Sequence, residues 1–496
     1  MAEKTTVEGA LSDASVEDRR LDAAALGETL TDDEDKRILR RIDRWLLPVL
    51  ALSYLFQFLD KMSLNSTAIL GLRTDLHLTG AEYSWASAIY YFGYLAASSP
   101  AAVLMIRWKV GKVIAVTILI WGAILMLTAA CSNARSLLAD RFFLGVFESA
   151  IGPGLAIIVS MWYKRSEQPL RHACWFLGNS CAGIFGGLLA YAIGHVRSIE
   201  PWKAVFLIFG AVTAAWSVGV FLLLPDTPMT ARFLSVQDRK KAVVRVKDNM
   251  TGIKNNTVKW GQVWEAFLDV KTWLFVVLSL ASNIPNGAVT TFYSIIVQGF
   301  GFSTFDTLLL GTVNFLNQLL LVVISVAGTS YFHNSRTYFM SLNFALAVSG
   351  AAMVRYVPEV HKWARFAGAV LSISYASSFP ITMSLVSGNC GGFTKKTTVN
   401  ALVFITYCIG NIIGPQLFFD REAPTYQSGF LAFIISLSIA FATCFVMRFY
   451  LIWENWRRRR VVSADDRAAF ERARQGVMVN LTDMTDKQIP QFIYVY

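Results

Sequence analysis

Apolar stretches of about twenty residues repeat along most of this sequence and are separated by short polar turns. A helix of roughly 20 residues is long enough to cross the hydrocarbon core of a bilayer. Only 16% of the residues are charged, whereas soluble domains carry about 25% charged residues. We therefore predict an all-α, multi-pass membrane protein with twelve transmembrane helices. The predicted spans cover residues 45–66, 84–106, 112–131, 137–162, 172–194, 203–224, 272–297, 306–332, 337–355, 363–388, 398–419 and 428–451.

A polar segment at residues 225–271 divides the predicted helices into two sets of six. Two equal halves are typical of secondary transporters that contain internal repeats. We predict an N-terminal six-helix bundle at 45–224 and a pseudo-symmetric C-terminal bundle at 272–451. Polar tails are predicted at 1–44 and 452–496.

The basic residues lie mainly on one side of the predicted membrane. Near the helix ends, 28 Lys and Arg residues fall on the side that both tails share, and 8 fall on the opposite side. Cytoplasmic loops carry such an excess, so we expect both termini in the cytoplasm, with the protein in the plasma membrane. The bias also accounts for the net charge of +11 without a nucleic-acid partner. We expect a monomer in the lipid bilayer.

Four ionisable residues interrupt the predicted helices, where each costs about 2.5–3.5 kcal/mol at the bilayer centre. They are Asp60 and Lys61 in the first helix, and Arg141 and Glu148 in the fourth. Arg141 and Glu148 share a face two turns apart, which is too far for a direct ion pair. We expect Asp60 to meet Arg141 and Lys61 to approach Glu148. A purely structural ion-pair network is the alternative interpretation.

Neutral polar residues follow the same helical spacing. In the first helix, Gln57 lies one turn before Lys61 on the same face. The second half contains amides and hydroxyls at such positions: Asn283 and Asn286 in the seventh helix, and Tyr407 and Asn411 in the eleventh. Side chains of this kind either bond neighbouring helices together or face a ligand, and their spacing leaves both interpretations open.

A cavity with one charged wall and one hydrogen-bonding wall suits a small organic anion. Lys61 or Arg141 would neutralise its carboxylate. A carboxyl group in a low dielectric, on Asp60 or Glu148, would carry a proton as the coupling ion. A proton that crosses the membrane potential gains about 2.3 kcal/mol per 100 mV. We expect no other cofactor.

The sequence gives little support for an enzyme or a metal site. The six cysteines lie in or beside apolar stretches without a C-x-x-C pair, and the five histidines are scattered. The sequence also contains no H-x-x-x-H or G-x-S-x-G motif. We therefore predict no catalytic centre and no bound metal.

Several motifs occur in the order of a known family. They are Phe58-Leu59-Asp60-Lys61, Arg141 to Glu148 followed by Gly152-Pro153-Gly154, Leu224-Pro225-Asp226-Thr227-Pro228, and Gly410-Asn411-Ile412-Ile413-Gly414-Pro415. Over residues 45–451 the chain resembles the major facilitator superfamily, and within it the anion:cation symporter branch of fungal allantoate permease-like transporters.

The resemblance implies roles for five residues. It makes Asp60 and Glu148 the proton-coupling candidates, makes Lys61 and Arg141 the substrate and coupling candidates, and places Asn411 near the substrate. Arginine is commoner at the Lys61 position, so a bidentate carboxylate clamp is replaced here by a point charge.

The resemblance also implies an activity. We expect proton-coupled symport of a small carboxylate such as allantoate, nicotinate or another vitamin-like acid, by alternating access. Two alternatives stay open: export of a fungal secondary metabolite, and a nutrient sensor that does not transport.

Overall fold

The computed structural model describes residues 30–164, 167–250, 259–461, 484–489 and 492–496. In this part of the chain twelve helices are long and apolar enough to cross a membrane, which confirms the predicted all-α architecture. Helices α1 to α6 are Asp32–Thr67, Gly80–Arg107, Val110–Leu127, Ala134–Glu148 with Ile151–Trp162, Gln168–Ile193 and Pro201–Leu223. Helices α7 to α12 are Val270–Gly299, Thr304–Tyr331, Arg336–Tyr356, Lys362–Ser372 with Phe379–Asn389, Phe393–Gln416 and Gln427–Val461.

Each half is built from the same helix pairs. In the first half α1 packs on α5, α2 on α4, and α3 on α6, and in the second half α7 packs on α11 and α9 on α12. The two halves meet where α1 contacts α7, α2 contacts α11, and α5 contacts α8. A cleft between the halves is therefore bordered by helices from both bundles.

Glycines permit the closest helix crossings. A Cβ atom on Gly145 in α4 would lie 2.0 Å from the carbonyl oxygen of Tyr90 in α2, and one on Gly414 in α11 would lie 2.1 Å from the carbonyl oxygen of Ile284 in α7. Small residues at helix crossings are typical of membrane proteins, because they let the backbones approach. Gly152 has ordinary contacts, with the Tyr94 hydroxyl 3.5 Å from its added Cβ.

Helix α4 is interrupted directly after Glu148. Its first part ends at Glu148 and its second begins at Ile151. Pro153 follows, and a proline has no N–H to donate to the carbonyl oxygen four residues earlier, here that of Ser149. The interruption places the Glu148 carboxylate at a break in the helix, in the interior of the first half.

Helix α1 begins earlier than the apolar pattern predicts. It starts at Asp32, and Thr31 forms a capping box with Glu34, so 13 residues of the predicted tail are helical. Two helices also occur in the predicted central segment. The first linker helix (Val236–Met250) is bonded to α1 through Asp238, which pairs with Arg37 and Arg41.

The second linker helix (Trp260–Phe267) lies against α11 of the second half. There Lys395 pairs with Glu265 at 2.9 Å and with Asp269 at 2.7 Å. The two described parts of the central segment therefore belong to different halves.

The terminal strap, residues 484–489 and 492–496, packs against the second half. Asp486 is fully buried and pairs with Lys271 and Lys395 at the starts of α7 and α11. Burial alone would raise the pKa of the Asp486 carboxyl, but these two ammonium groups outweigh burial and hold that pKa well below its usual range. The Asn455 side chain donates one hydrogen bond to the Tyr494 backbone and accepts one from it. The Asn389 side chain makes the same two hydrogen bonds with the Val495 backbone.

Candidate functional site

Asp60 lies inside the first half and faces α3 and α6. Its Oδ2 accepts hydrogen bonds from Trp121 Nε1 at 2.9 Å and from Thr213 Oγ1 at 3.0 Å, while Oδ1 has no hydrogen-bond partner among the described residues. The expected contact with Arg141 is not formed, because no ion pair within 4.0 Å joins these two residues. Arg141 is nevertheless close enough for its positive charge to act on the Asp60 carboxylate.

Glu148 is fully buried and is held by helix α2. Its Oε2 accepts a hydrogen bond from the Tyr90 hydroxyl at 2.6 Å. Its Oε1 has no hydrogen-bond partner in the described part of the chain. Lys61 and Arg141 are both electrostatic neighbours of this carboxylate, and the Gln57 side chain also lies near it. No Lys61–Glu148 ion pair within 4.0 Å is formed among these residues.

Arg141 is a buried cation with free donors. Its side chain is 2% exposed, and neither Nε nor Nη2 has a hydrogen-bond partner among the described residues. Its guanidinium carbon lies 5.6 Å from the centre of the Phe206 ring. A buried donor without a partner is costly, so these groups are available to an acceptor that enters the interior of the first half.

Lys61 reaches from the first half to the second. Its Nζ donates a hydrogen bond to the Tyr407 hydroxyl in α11 at 3.1 Å. The same ammonium lies 4.8 Å from the centre of the Tyr91 ring and 5.6 Å from that of Tyr407. Aromatic faces attract a cation but do not neutralise its charge as a carboxylate would. Lys61 is therefore positioned between the halves without a counter-ion within 4.0 Å in the described chain.

The predicted amides of the second half come together between α7 and α11. Asn286 Nδ2 donates to Asn411 Oδ1 at 2.7 Å, and Asn411 Nδ2 donates to the Tyr407 carbonyl oxygen at 2.8 Å and to Asn283 Oδ1 at 3.4 Å. Asn283 Nδ2 donates to the carbonyl oxygen of Ser279. These bonds join the two helices, so the helix-bonding interpretation accounts for part of the stripe. Tyr375 lies in the 3-10 segment Ile373–Ser378, between the two parts of α10. It donates to Asn286 Oδ1 at 3.4 Å and lies at the edge of this group.

Sequence reasoning missed four residues that hold the charged groups in place. They are Tyr90, Tyr91, Trp121 and Thr213. A signal was present for the tyrosines, because Tyr90, Tyr91 and Tyr94 crowd one apolar helix. Trp121 and Thr213 look like ordinary apolar-helix residues, and only the helix packing brings them to Asp60.

The two halves are bonded to each other on the side opposite the two tails. At the surface, Arg73 Nη2 pairs with Asp420 Oδ1 at 3.0 Å. Further in, Tyr83 donates to the Thr291 carbonyl oxygen at 2.7 Å, and Ser84 donates to the Pro415 carbonyl oxygen at 3.1 Å. Bonds at several depths seal the cleft on this side.

Metal ligation finds no support among the side chains that the structure describes. In that part of the chain, no group of three or more His, Cys, Asp or Glu side chains could hold a metal ion. The six cysteines are free thiols.

Comparison with known proteins identifies the family. The sequence pattern of the Major Facilitator Superfamily matches residues 50–415. The chain belongs to this superfamily. Superfamily members are transporters rather than enzymes, which confirms the prediction that this chain is not an enzyme.

Curated fungal relatives of the superfamily match almost the whole chain. An uncharacterised transporter of Schizosaccharomyces pombe is 36% identical, over 94% of this chain and 88% of its own length. The allantoate permease of Saccharomyces cerevisiae is 33% identical, over 98% of this chain and 91% of its own length. Both similarities extend beyond the helices that carry the motifs.

A solved superfamily structure shows the same fold. The proton:xylose symporter XylE superposes with a TM-score of 0.64 at 13% identity, covering 82% of this chain and 94% of XylE. These comparisons confirm the predicted fold and a multi-pass membrane transporter for a small molecule.

Proposed function

We propose that this transporter carries a small organic anion and couples its movement to protons. The observation that carries the proposal is a pair of cations without a counter-ion among the described residues, of which Arg141 is buried and Lys61 is partly buried. Lys61 and Arg141 have no carboxylate within 4.0 Å in the described chain, and two Arg141 nitrogens have no hydrogen-bond partner there. Because an uncompensated charge is expensive in a membrane interior, an anionic ligand supplies what the helices lack.

The amides between α7 and α11 suit the same ligand. Asn411 and Asn283 lie beside Tyr407, which bonds Lys61. The neutral second half can therefore contribute hydrogen bonds to the uncharged part of a solute while the first half supplies charge. The allantoate permease relative supports a carboxylate as the substrate class.

Glu148 and Asp60 are the groups proposed to carry the proton. Each has one buried carboxylate oxygen without a hydrogen-bond partner in the described chain, so a proton can be added there without displacing a donor. Protonation of Glu148 would remove a negative charge next to Lys61 and Arg141. Their affinity for an incoming carboxylate would then rise, which links proton binding to anion binding.

The sealed side fits one state of an alternating-access cycle. If the tails lie in the cytoplasm as the basic residues predict, the Arg73–Asp420 side is the outer side. The structure would then correspond to a state in which solute cannot leave outward. We propose import by symport, in which opening of this outer side admits proton and anion together.

A direct uptake experiment tests the proposed function. Proteoliposomes with the purified protein are assayed for uptake of labelled carboxylates at pH 5.5 and pH 7.5, with an imposed proton gradient. We expect the labelled carboxylate to accumulate inside the proteoliposomes when the outside pH is the lower of the two. Glu148→Gln and Asp60→Asn should abolish gradient-driven accumulation, while Glu82→Gln, a substitution in the capping box of α2, should leave it intact. Undiminished, pH-dependent accumulation in both variants would refute the coupling assignment.

A further inference from the structure

A small cavity lies between the two halves, and the described residues that line it are uncharged. Its volume is about 40 Å³, which is room for a small functional group or one or two water molecules. Helices α1, α5 and α6 of the first half and α7, α8 and α10 of the second contribute its walls. They include Leu59, Gly183, Phe209, Leu308, Phe315 and Ile373.

The cavity walls contain hydrogen-bonding groups that are not satisfied. Tyr293 Oη, Thr307 Oγ1 and both Asn314 side-chain atoms have no hydrogen-bond partner of normal geometry in the described chain. All three residues line the cavity and are more than nine-tenths buried, with Asn314 fully buried. The Tyr293 hydroxyl lies within interaction range of the Asn314 side chain, and neither makes a hydrogen bond of normal geometry there, so one small group can contact both. A buried polar atom without a partner destabilises the fold, so these atoms favour a ligand that supplies the missing hydrogen bonds.

The chemistry of these groups selects the ligand. Among the described residues no Asp, Glu, Lys or Arg lines the cavity, so a charged group would lose its hydration without compensation. Asn314 Oδ1 needs a donor, and Asn314 Nδ2 needs an acceptor. A carboxylate offers no donor, whereas a carboxamide, a ureido group or a hydroxyl offers both.

The cavity adjoins the proposed anion site. Asn65 lines the cavity and lies one helical turn after Lys61, about 6 Å along the axis of α1. Its Oδ1 accepts a hydrogen bond from the Ser294 backbone at 3.0 Å, which fixes this side of the cavity against α7. The distance between Lys61 and the cavity is therefore comparable to the length of a short solute.

We propose that this cavity binds an uncharged hydrogen-bonding group at the far end of the transported anion. This inference rests on the proposed function and narrows it to carboxylates that carry a carboxamide, ureido or hydroxyl group a few carbons from the acid. Because both halves line the cavity, such a ligand contacts the two bundles at once.

Length-matched pairs of carboxylates test the inference in proteoliposomes. Each pair has two to four carbons between the groups and differs only at the far end. One pair is succinamate and its apolar isostere 4-methylpentanoate. We expect the wild type to take up the amide member with a KM at least tenfold lower, and Asn314→Leu to reduce this preference to less than threefold by raising the amide's KM alone.

Two further variants control for folding. An added Cβ on Gly311 meets no atom within 4 Å, so Gly311→Ala, which narrows the cavity, should also weaken the preference. Asn317→Leu is the matched control and should leave the preference unchanged. Asn317 lies in the same helix, but its side chain already donates to the Val370 carbonyl oxygen at 3.0 Å. A preference that persists in both Asn314→Leu and Gly311→Ala, or no preference in the wild type, overturns this inference alone. Failure of the wild type to take up either member of every pair overturns the proposed function as well.

Discussion

The Lys61 ammonium and the Tyr407 hydroxyl form a hydrogen bond of 3.1 Å that joins the two halves at the centre of the molecule. Tyr407 is neutral, so it orients the ammonium and leaves the positive charge uncompensated. A carboxylate that enters the cleft can bind Lys61 more strongly than Tyr407 does, because the attraction between opposite charges adds to the hydrogen bond.

The two residues should therefore differ in their effect on uptake. We expect Lys61→Met, which keeps the apolar stem and removes the charge, to raise the KM for a transported carboxylate at least tenfold, equivalent to about 1.4 kcal/mol. Tyr407→Phe keeps the charge and should change the KM less than Lys61→Met does. Initial uptake rates over a range of carboxylate concentrations measure both, and an unchanged KM in Lys61→Met would remove this residue from the site.

The packing of α2 on α4 is predicted to depend on Gly145. Gly145→Ala places a methyl group 2.0 Å from the Tyr90 carbonyl oxygen. This overpacking should displace Tyr90 and lower the free energy of unfolding by about 1–3 kcal/mol, so the unfolding temperature should fall. Gly152→Ala meets only ordinary contacts and serves as the control. Thermal unfolding of the purified variants checks the difference, and equal unfolding temperatures would contradict it.

The Arg73–Asp420 pair should bias the protein toward closure of this side. Both side chains are partly exposed, at 23% and 42%, so the pair contributes at most about 1 kcal/mol, or about a fivefold change in population. The Ser87 hydroxyl contacts that of Thr291 across the cleft on this side, at 2.7 Å. Arg73→Ala should raise the reactivity of a cysteine placed at Ser87 toward a membrane-impermeant reagent by up to that factor.

A charge exchange provides the control for this gate. Arg73→Asp with Asp420→Arg retains the pairing in reverse and should restore the low reactivity toward the value measured for the Ser87→Cys protein alone. Reactivity that stays high in the exchanged variant would show that the ion pair is not what favours closure.

The terminal strap should depend on Asp486 and be insensitive to physiological pH. A carboxyl with a depressed pKa contributes stability above its unfolded pKa of about 3.9 and loses it only as pH falls toward the lower folded value. Hydrogen exchange of residues 484–489 should therefore be equally slow at pH 5 and pH 8, after correction for intrinsic rates.

Removal of the Asp486 charge should release the strap. Asp486→Asn leaves Lys271 and Lys395 with one anion fewer in a buried site, and loss of one partner of a buried pair costs about 3–5 kcal/mol. Tyr494→Phe removes one hydrogen bond to Asp486 and should have a smaller effect. Slow exchange that persists in Asp486→Asn would refute this role.

The sequence was sufficient to predict which segments cross the membrane and which charged residues lie inside it. Apolar length determines the first, and the cost of burying charge makes the second conspicuous. The N-terminal extension of α1 was missed because its pattern is polar, although Thr31 and Glu34 have capping-box spacing.

The partners of the buried charges could not be predicted in the same way. Spacing along α1 shows that Asp60 and Lys61 point in different directions, but not which helix each one faces. That depends on how α3 and α6 are rotated, which brings Trp121 and Thr213 to Asp60. The cavity around Asn314 likewise requires several helices: Tyr293 and Asn314 are polar positions in two separate helices, and the sequence does not show that they lie together.

The two halves share one architecture but contain unlike polar groups in their interiors. The first half contributes Asp60, Lys61, Arg141 and Glu148, and the second contributes amides and hydroxyls such as Asn286 and Tyr407. Energy coupling and recognition of the anionic end then depend on the first half, whereas the second half contributes to recognition of the uncharged end. A chimera that joins this first half to the second half of a related permease should keep its driving ion and its requirement for an anion, and should change its preference for the uncharged end of the solute.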